Sequence, residues 1–295
     1  MREAVFRGVA TALITPFADD GIDYEDFGRL LDWQIEQEVD ALVVCGTTGE
    51  PSTMTDLEHR QAIAYATEYV DGRVPVIAGV GSNETVYSVS LAKHAADCGA
   101  DALLAVTPYY NKCTQKGLIK MFQTIADAST LPLILYNVPG RTGLNIEPET
   151  YEALAGHGNI AGIKEANSNI EKIMDTFARV YGKLDIYSGN DDQILPIMAM
   201  GGAGVISVIS NILPREIHEL TMTALRGDIA EAAALQRRYQ PLIRALFSEV
   251  NPIPVKAAMY AMGYCSSVVR PPLTELEDDH RETLYNLMRR EGLPV

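Results

Sequence analysis

Apolar residues in this chain fall into eight short runs. Between the runs they return every three or four positions. The runs cover 9–16, 41–45, 74–80, 102–107, 131–137, 160–164, 184–188 and 204–208. Each is almost continuously apolar and β-branched, as parallel strands covered on both faces are. Segment 24–38 typifies the intervening pattern, with Phe27, Leu30, Leu31 and Ile35 on one helical face. Segments 56–69, 84–98, 114–128, 147–155, 170–181 and 192–200 repeat it. Asp23 and Ser82 stand as capping residues ahead of two of these helices.

Eight strand–helix units within about 210 residues predict a (β/α)8 TIM barrel. A doubly wound sheet is the rival, with fewer strands and a glycine-rich loop after the first. Here the first run leads into Thr15-Pro16-Phe17, and Gly79-Val80-Gly81 lacks the third glycine of a dinucleotide motif. Four further helical patterns follow the eighth strand, at 214–226, 229–247, 254–262 and 279–291. The first closes the barrel and the rest form a C-terminal helical appendage. The expected division is 1–225 for the catalytic barrel and 226–295 for the appendage.

Composition narrows the functional classes. A net charge of -15 argues against nucleic acid or an anionic membrane as partner. A local basic site still permits small anionic substrates. Met1-Arg2-Glu3-Ala4-Val5-Phe6-Arg7 has no apolar core and carries an acid, unlike a signal peptide. No apolar stretch approaches the ~20 residues that span a bilayer. Cys45, Cys98, Cys113 and Cys265 are scattered without a C-x-x-C pair, as in a cytoplasmic protein with reduced thiols. Cys45 reads as core. The five histidines show no paired ligand spacing, so no metal is expected.

A barrel does its chemistry at the C-terminal ends of its strands. Those ends carry Gly46-Thr47-Thr48-Gly49-Glu50, Pro108-Tyr109-Tyr110-Asn111, Tyr136-Asn137-Val138-Pro139-Gly140-Arg141-Thr142, Lys164, and Gly189-Asn190-Asp191-Asp192, with Ile206 near the last. Lys164 is the most telling. Burial favours its neutral amine, which attacks ketones to form a Schiff base. Taken alone, it also reads as a lysine paired with a carboxylate. Gly46 to Glu50 reads equally as a strand–helix turn or as a nest of N–H groups for a carboxylate. Tyr136 fits a half-buried core tyrosine, Arg141 a surface ion pair, and Tyr109 and Tyr110 core or interface aromatics.

Together these motifs resemble the dihydrodipicolinate synthase / N-acetylneuraminate lyase family. The resemblance rests on Gly46-Thr47-Thr48-Gly49-Glu50, on Tyr136 to Gly143 and on Gly162-Ile163-Lys164-Glu165-Ala166. It extends to Pro108 to Asn111, to Ser188 to Asp191 and to Asn251-Pro252-Ile253-Pro254-Val255-Lys256. It implies a pyruvate-dependent aldolase without cofactor, in which Lys164 forms a covalent imine with pyruvate. Thr47 and Thr48 would hold the pyruvate carboxylate, with Gly189 and the Ile206 carbonyl completing that site. Tyr136 would move protons, in a relay with Thr47 and with Tyr110 donated across a dimer interface. Arg141 would bind the carboxylate of the second substrate.

Within the family, the Gly-Thr-Thr-Gly-Glu loop, the Tyr109-Tyr110 pair and Arg141 two residues after Pro139 favour the synthase branch. That branch condenses pyruvate with L-aspartate 4-semialdehyde, at the entry to diaminopimelate and lysine synthesis. A lyase acting on a sialic acid or a 2-keto-3-deoxy sugar acid is the alternative. A non-catalytic homologue is the rival of a different class. The resemblance also implies a homotetramer built as a dimer of dimers. A lysine-inhibition site would lie near Ser52, Asp56, His59, Asn83, Tyr87 and Tyr109. Tyr87 replaces the glutamate usual in sensitive enzymes, so inhibition is expected to be weak or absent.

Overall fold

Residues along each apolar run divide between two environments, because successive side chains of a strand point to opposite faces. In the computed structural model, which describes residues 4–295, all eight runs are strands. They are β1 (Gly8–Ala12), β2 (Ala41–Val44), β3 (Val76–Gly79), β4 (Ala102–Val106), β5 (Leu133–Asn137), β6 (Ile160–Glu165), β7 (Asp185–Ser188) and β8 (Gly204–Ser207). They pair in parallel and close into a barrel, with β8 returning to β1. The reading of the N-terminus lies partly outside the described residues, at Met1 to Glu3.

Val9, Leu42, Val44, Val76, Leu103, Leu135, Ile163 and Val205 face outward, into a core shared with the helices. Ala10, Val43, Ile77, Leu104, Ile134, Tyr136 and Ile206 fill the barrel interior. The Phe6 and Tyr187 rings stack with centroids 4.3 Å apart and plug the N-terminal end. β8 meets β1 so closely that a Cβ on Gly204 would lie 2.0 Å from the Gly8 carbonyl oxygen. A side chain there would force the seam open.

Helices α1 (Tyr24–Glu36), α2 (Asp56–Val70), α3 (Thr85–Asp97), α4 (Gln115–Asp127), α5 (Pro148–Leu154), α6 (Ile170–Val180), α7 (Ile194–Ala199) and α8 (Pro214–Leu225) surround the barrel. The appendage contributes α9 (Ile229–Ala245), α10 (Ile253–Ala261) and α11 (Asp278–Arg290). Two local expectations need correction. The first strand ends at Ala12, because the Ile14 N–H is taken by Asn211 Oδ1 and Pro16 has no N–H to offer. Beyond it, Phe17–Ala18 and Gly21–Ile22 form a small antiparallel hairpin. Asp23 caps α1 as expected, but Glu84 and not Ser82 caps α3, accepting from the N–H groups of Val86 and Tyr87.

A buried ion pair fastens the appendage to the barrel. Lys256 Nζ on α10 lies 2.7 Å from Glu50 Oε1, with side chains 1% and 2% exposed. The ammonium also donates to the Val268 carbonyl at 2.6 Å and lies 4.2 Å above the Phe17 ring. Arg270 covers the same ring at 4.1 Å, gives its N–H to Glu50 Oε2 and pairs with Glu58. Burial pulls the Lys256 pKa down, and Glu50 opposes that pull. Removing one partner strands the other charge out of water. Lys256→Met is therefore expected to lower unfolding free energy by about 3–5 kcal/mol, with Glu50→Leu/Lys256→Met recovering part of it. Urea unfolding checks this, and a single-variant loss near zero would mean that the pair contributes nothing.

Candidate active site

Tyr136 on β5 and Lys164 on β6 are register partners, so both side chains enter the barrel at the C-terminal end of their strands. Lys164 is 4% exposed. Its Nζ lies 4.3 Å from the centroid of the Tyr136 ring, which offers a π face in place of water. Burial lowers its pKa to about 7, the Asp191 carboxylate opposes the shift and the Arg141 guanidinium adds to it. A large share of this amine is thus neutral at neutral pH. Burial raises the Tyr136 pKa, while Arg141 and a hydrogen bond with the Thr47 side chain restrain the rise.

The segment after β2 folds as a 3-10 turn, Thr47–Gly49. The N–H groups of Gly49 and Glu50 close on the carbonyls of Gly46 and Thr47. Among the described residues no backbone carbonyl accepts from the N–H groups of Thr47 and Thr48 at the start of the turn, where an anion is favoured. Close approach shapes this corner, since a Cβ on Gly79 would lie 2.0 Å from the Cys45 carbonyl oxygen. Thr48 is buried, and its Oγ1 accepts from Asn251 Nδ2 at 3.0 Å.

Arg141 sits on a single helical turn, Pro139–Thr142, that begins two residues after β5 ends at Asn137. Its Nη2 donates to the Asn251 carbonyl at 3.0 Å, and its side chain lines the cavity of the site. Gly189 follows β7, and its N–H donates to the Glu165 carbonyl at 2.7 Å. A Cβ there would lie 2.8 Å from that of Ala166. Ile206 is fully buried in the barrel interior.

Thr47, Tyr136 and Arg141 line a cavity of about 290 Å³. Ser52, His59, Tyr87 and Tyr109 also line it. Lys164, Thr48, Gly189 and Ile206 are not in its wall, and Lys164 is met beyond the Tyr136 ring. His59 is buried, with Nε2 2.8 Å from the Gly79 carbonyl oxygen, and burial lowers its pKa. The Tyr87 hydroxyl bonds Asp56, and the Tyr87 pKa is pushed up to about 12, mainly by burial. Asn83 stays out of the cavity, and its carbonyl accepts from Asn111 Nδ2. Tyr110 does not reach Tyr136 of its own chain; it is 92% exposed, on backbone with φ +66°.

Two carboxylates escaped the reading of the sequence. Asp191 is buried after β7, and its Oδ2 accepts from the N–H groups of Val208 and Ile209 at 3.1 and 2.9 Å. Burial raises the Asp191 pKa, these bonds and the Ser207 hydroxyl restrain the rise, and its charged form acts on Lys164. The signal was its place directly beyond a strand end in Ser188-Gly189-Asn190-Asp191. Glu165 follows Lys164 and faces the other way. It accepts from Asn137 Nδ2, the Tyr151 hydroxyl and the Asn167 N–H, and burial raises its pKa to about 7. This network ties the end of β5 to the end of β6, holding Tyr136 and Lys164 in register. Cys45 is buried with its pKa raised by desolvation, a core thiol as expected. Among the described residues no group of three or more His, Cys, Asp or Glu side chains could hold a metal ion. No helix among them is long and apolar enough to cross a membrane.

Residues 5–291 match the Dihydrodipicolinate synthetase family. The chain is 52% identical over 293 residues to the 4-hydroxy-tetrahydrodipicolinate synthase of Caldicellulosiruptor bescii, covering 99% of each chain. Its structure is similar to that of dihydrodipicolinate synthase from Aquifex aeolicus, with a TM-score of 0.97 and 42% identity over 98% of this chain and 99% of that one. It is also similar to a monomeric dihydrodipicolinate synthase variant, with a TM-score of 0.95 and 42% identity over 98% of each chain. With the barrel, the lysine and the three strand-end motifs in their places, the chain belongs to the dihydrodipicolinate synthetase family.

Proposed function

We propose that this protein is a lyase that condenses pyruvate with L-aspartate 4-semialdehyde to give 4-hydroxy-tetrahydrodipicolinate. The observation that carries the reading is the buried Lys164 amine, with its pKa near 7, against the Tyr136–Thr47 hydroxyl pair. The neutral amine attacks C2 of pyruvate, and the carbinolamine loses water to leave an iminium. Loss of a C3 proton gives the enamine, whose C3 attacks the aldehyde carbon of the second substrate. The amino group of that substrate then attacks the regenerated iminium carbon, closing the ring and expelling the Lys164 amine. The Tyr136 hydroxyl takes and returns these protons, an arrangement worth about 10²- to 10⁴-fold in rate. The Asp191 charge stabilises the iminium, and no cofactor is required.

Thr47 and Thr48 hold the pyruvate carboxylate, and Gly189 and the Ile206 carbonyl complete that pocket. Arg141 takes the carboxylate of the semialdehyde, for which its planar fork is suited. A polyol-binding lyase of sialic or sugar acids would want hydroxyl-binding groups at that position. Segment 226–295 acts as an appendage that completes the site through Asn251 and Lys256.

The working form is a homotetramer. Leu57, Val86 and Tyr110 are exposed on α2, α3 and the loop after β4, and Ile170, Met174, Tyr181 and Met200 on or just beyond α6 and α7. Two separate apolar surfaces of this kind suit a dimer of dimers. The first brings Tyr110 of a second copy toward the Tyr136–Thr47 relay. The scattered free cysteines support a cytoplasmic enzyme.

A coupled assay with dihydrodipicolinate reductase, following NADPH loss, is expected to show turnover that falls at least ~10³-fold in Lys164→Ala. Borohydride with pyruvate is expected to add mass at Lys164. A trapped adduct without turnover on the semialdehyde would move the assignment to a sugar-acid aldolase.

The acidic limb of kcat/KM for pyruvate is expected near pH 7, with activity rising as pH increases and the neutral amine accumulates. Asp191 holds that pKa up, so Asp191→Asn should move the limb to lower pH. A limb unmoved in the variant would remove Asp191 from the electrostatics of the site.

Lysine inhibition is expected to be weak or absent. Ser52, His59 and Tyr109 line the cavity, but Tyr87 stands where an acid would pair the lysine amine, and losing such a partner weakens binding by about 1 kcal/mol or more. Strong inhibition at sub-millimolar lysine would refute this.

A further inference from the structure

The motif Asn251-Pro252-Ile253-Pro254-Val255-Lys256 supplies, besides the anchoring Lys256, one residue that touches both halves of the site. Asn251 is buried just before α10. Its Nδ2 donates to Thr48 Oγ1 at 3.0 Å. Its main-chain carbonyl accepts from Arg141 Nη2, also at 3.0 Å. Its Oδ1 is buried and has no hydrogen-bond partner among the described residues, so the amide is oriented by its nitrogen.

A threonine hydroxyl has one proton to give and two lone pairs to offer. Because an amide N–H occupies one lone pair of Thr48, the hydroxyl proton points elsewhere. We infer that Asn251 is a positioning residue that fixes the Thr48 hydroxyl as a hydrogen-bond donor and so makes the pocket selective for a carboxylate. The inference rests on the proposed reading of Thr48 as a pyruvate-carboxylate ligand. The same residue orients Arg141 through its carbonyl. One position of the appendage thus orders a donor for each of the two carboxylates. A donor set in advance has no reorganisation left to make when the anion arrives.

Asn251→Asp and Asn251→Ala, compared with wild type, separate this role from packing. Aspartate is nearly isosteric with asparagine but can only accept. It draws the Thr48 proton to itself and turns the hydroxyl oxygen toward the substrate. The expected result is a pyruvate KM raised ~10-fold or more in Asn251→Asp, a smaller rise in Asn251→Ala and a lesser change in kcat for both. In a Thr48→Val background, the difference between asparagine and aspartate should vanish.

A packing role predicts the opposite rank, with alanine worse than aspartate. That rank overturns the inference, as does an Asn251→Asp enzyme with unchanged pyruvate KM, which would mean that Thr48 donates to residue 251. Should the alanine variant fail to fold, the aspartate variant and the Thr48→Val background decide alone. Borohydride trapping of pyruvate on wild-type Lys164 is the control. Its failure sinks the Schiff-base reading together with this inference. Trapping with the wrong KM pattern sinks the inference alone.

Discussion

The interior of a closed eight-stranded barrel has room for side chains and for little else. Every inward position must therefore be filled, and whatever fills it is dry. Alanine, valine, isoleucine and leucine meet that demand along most of the strands. At the upper end of β6 the demand falls on a lysine. Its ammonium loses hydration it cannot recover from apolar neighbours, and the proton is held weakly as a result. The reactivity of the amine follows from where the barrel puts it. Tyr136, its register partner, is dry for the same reason and holds its proton more tightly.

Charge then decides how far this goes. Asp191, pinned by two N–H groups at the end of β8, stops the lysine from losing its proton too readily. Arg141 pushes in the other direction from the mouth of the barrel. Glu165, on the opposite face of β6, knits the β5 and β6 ends together. Around this centre the appendage acts as a clasp. Its ion pair reaches Glu50, and its asparagine reaches Thr48, two residues earlier in the same loop. The loop that would hold the substrate carboxylate is thus steadied from outside the barrel.

Much of this was legible in the sequence. All eight strands show as continuous apolar runs, because both of their faces are covered. Lys164, Tyr136, Thr47 and Arg141 stand out because strand ends are where a barrel exposes chemistry. What was not legible depends on contacts between distant segments. The partnership of Lys256 with Glu50 spans most of the chain, and neither residue is unusual in its own window. Asp191 lay within a quoted motif, but its effect on Lys164 appears only when two strand ends meet. Tyr110 was foreseen only through family resemblance, and a single chain leaves its ring in solvent. Ser82 failed as a cap because Glu84, two residues on, offers two carboxylate oxygens to the same free N–H groups.

The clasp also has a bearing on how the molecule is made. All eight strands, with Lys164 among them, leave the ribosome before Asn251 and Lys256 do. A growing chain can close its barrel and desolvate the amine while the anion-binding loop is still unbraced. Reactive carbonyl compounds in the cell would then meet an amine that lacks a fixed grip on any carboxylate. With Asn251 and Lys256 C-terminal to every strand, the contacts that steady the Thr48–Glu50 loop form after the strands have been made.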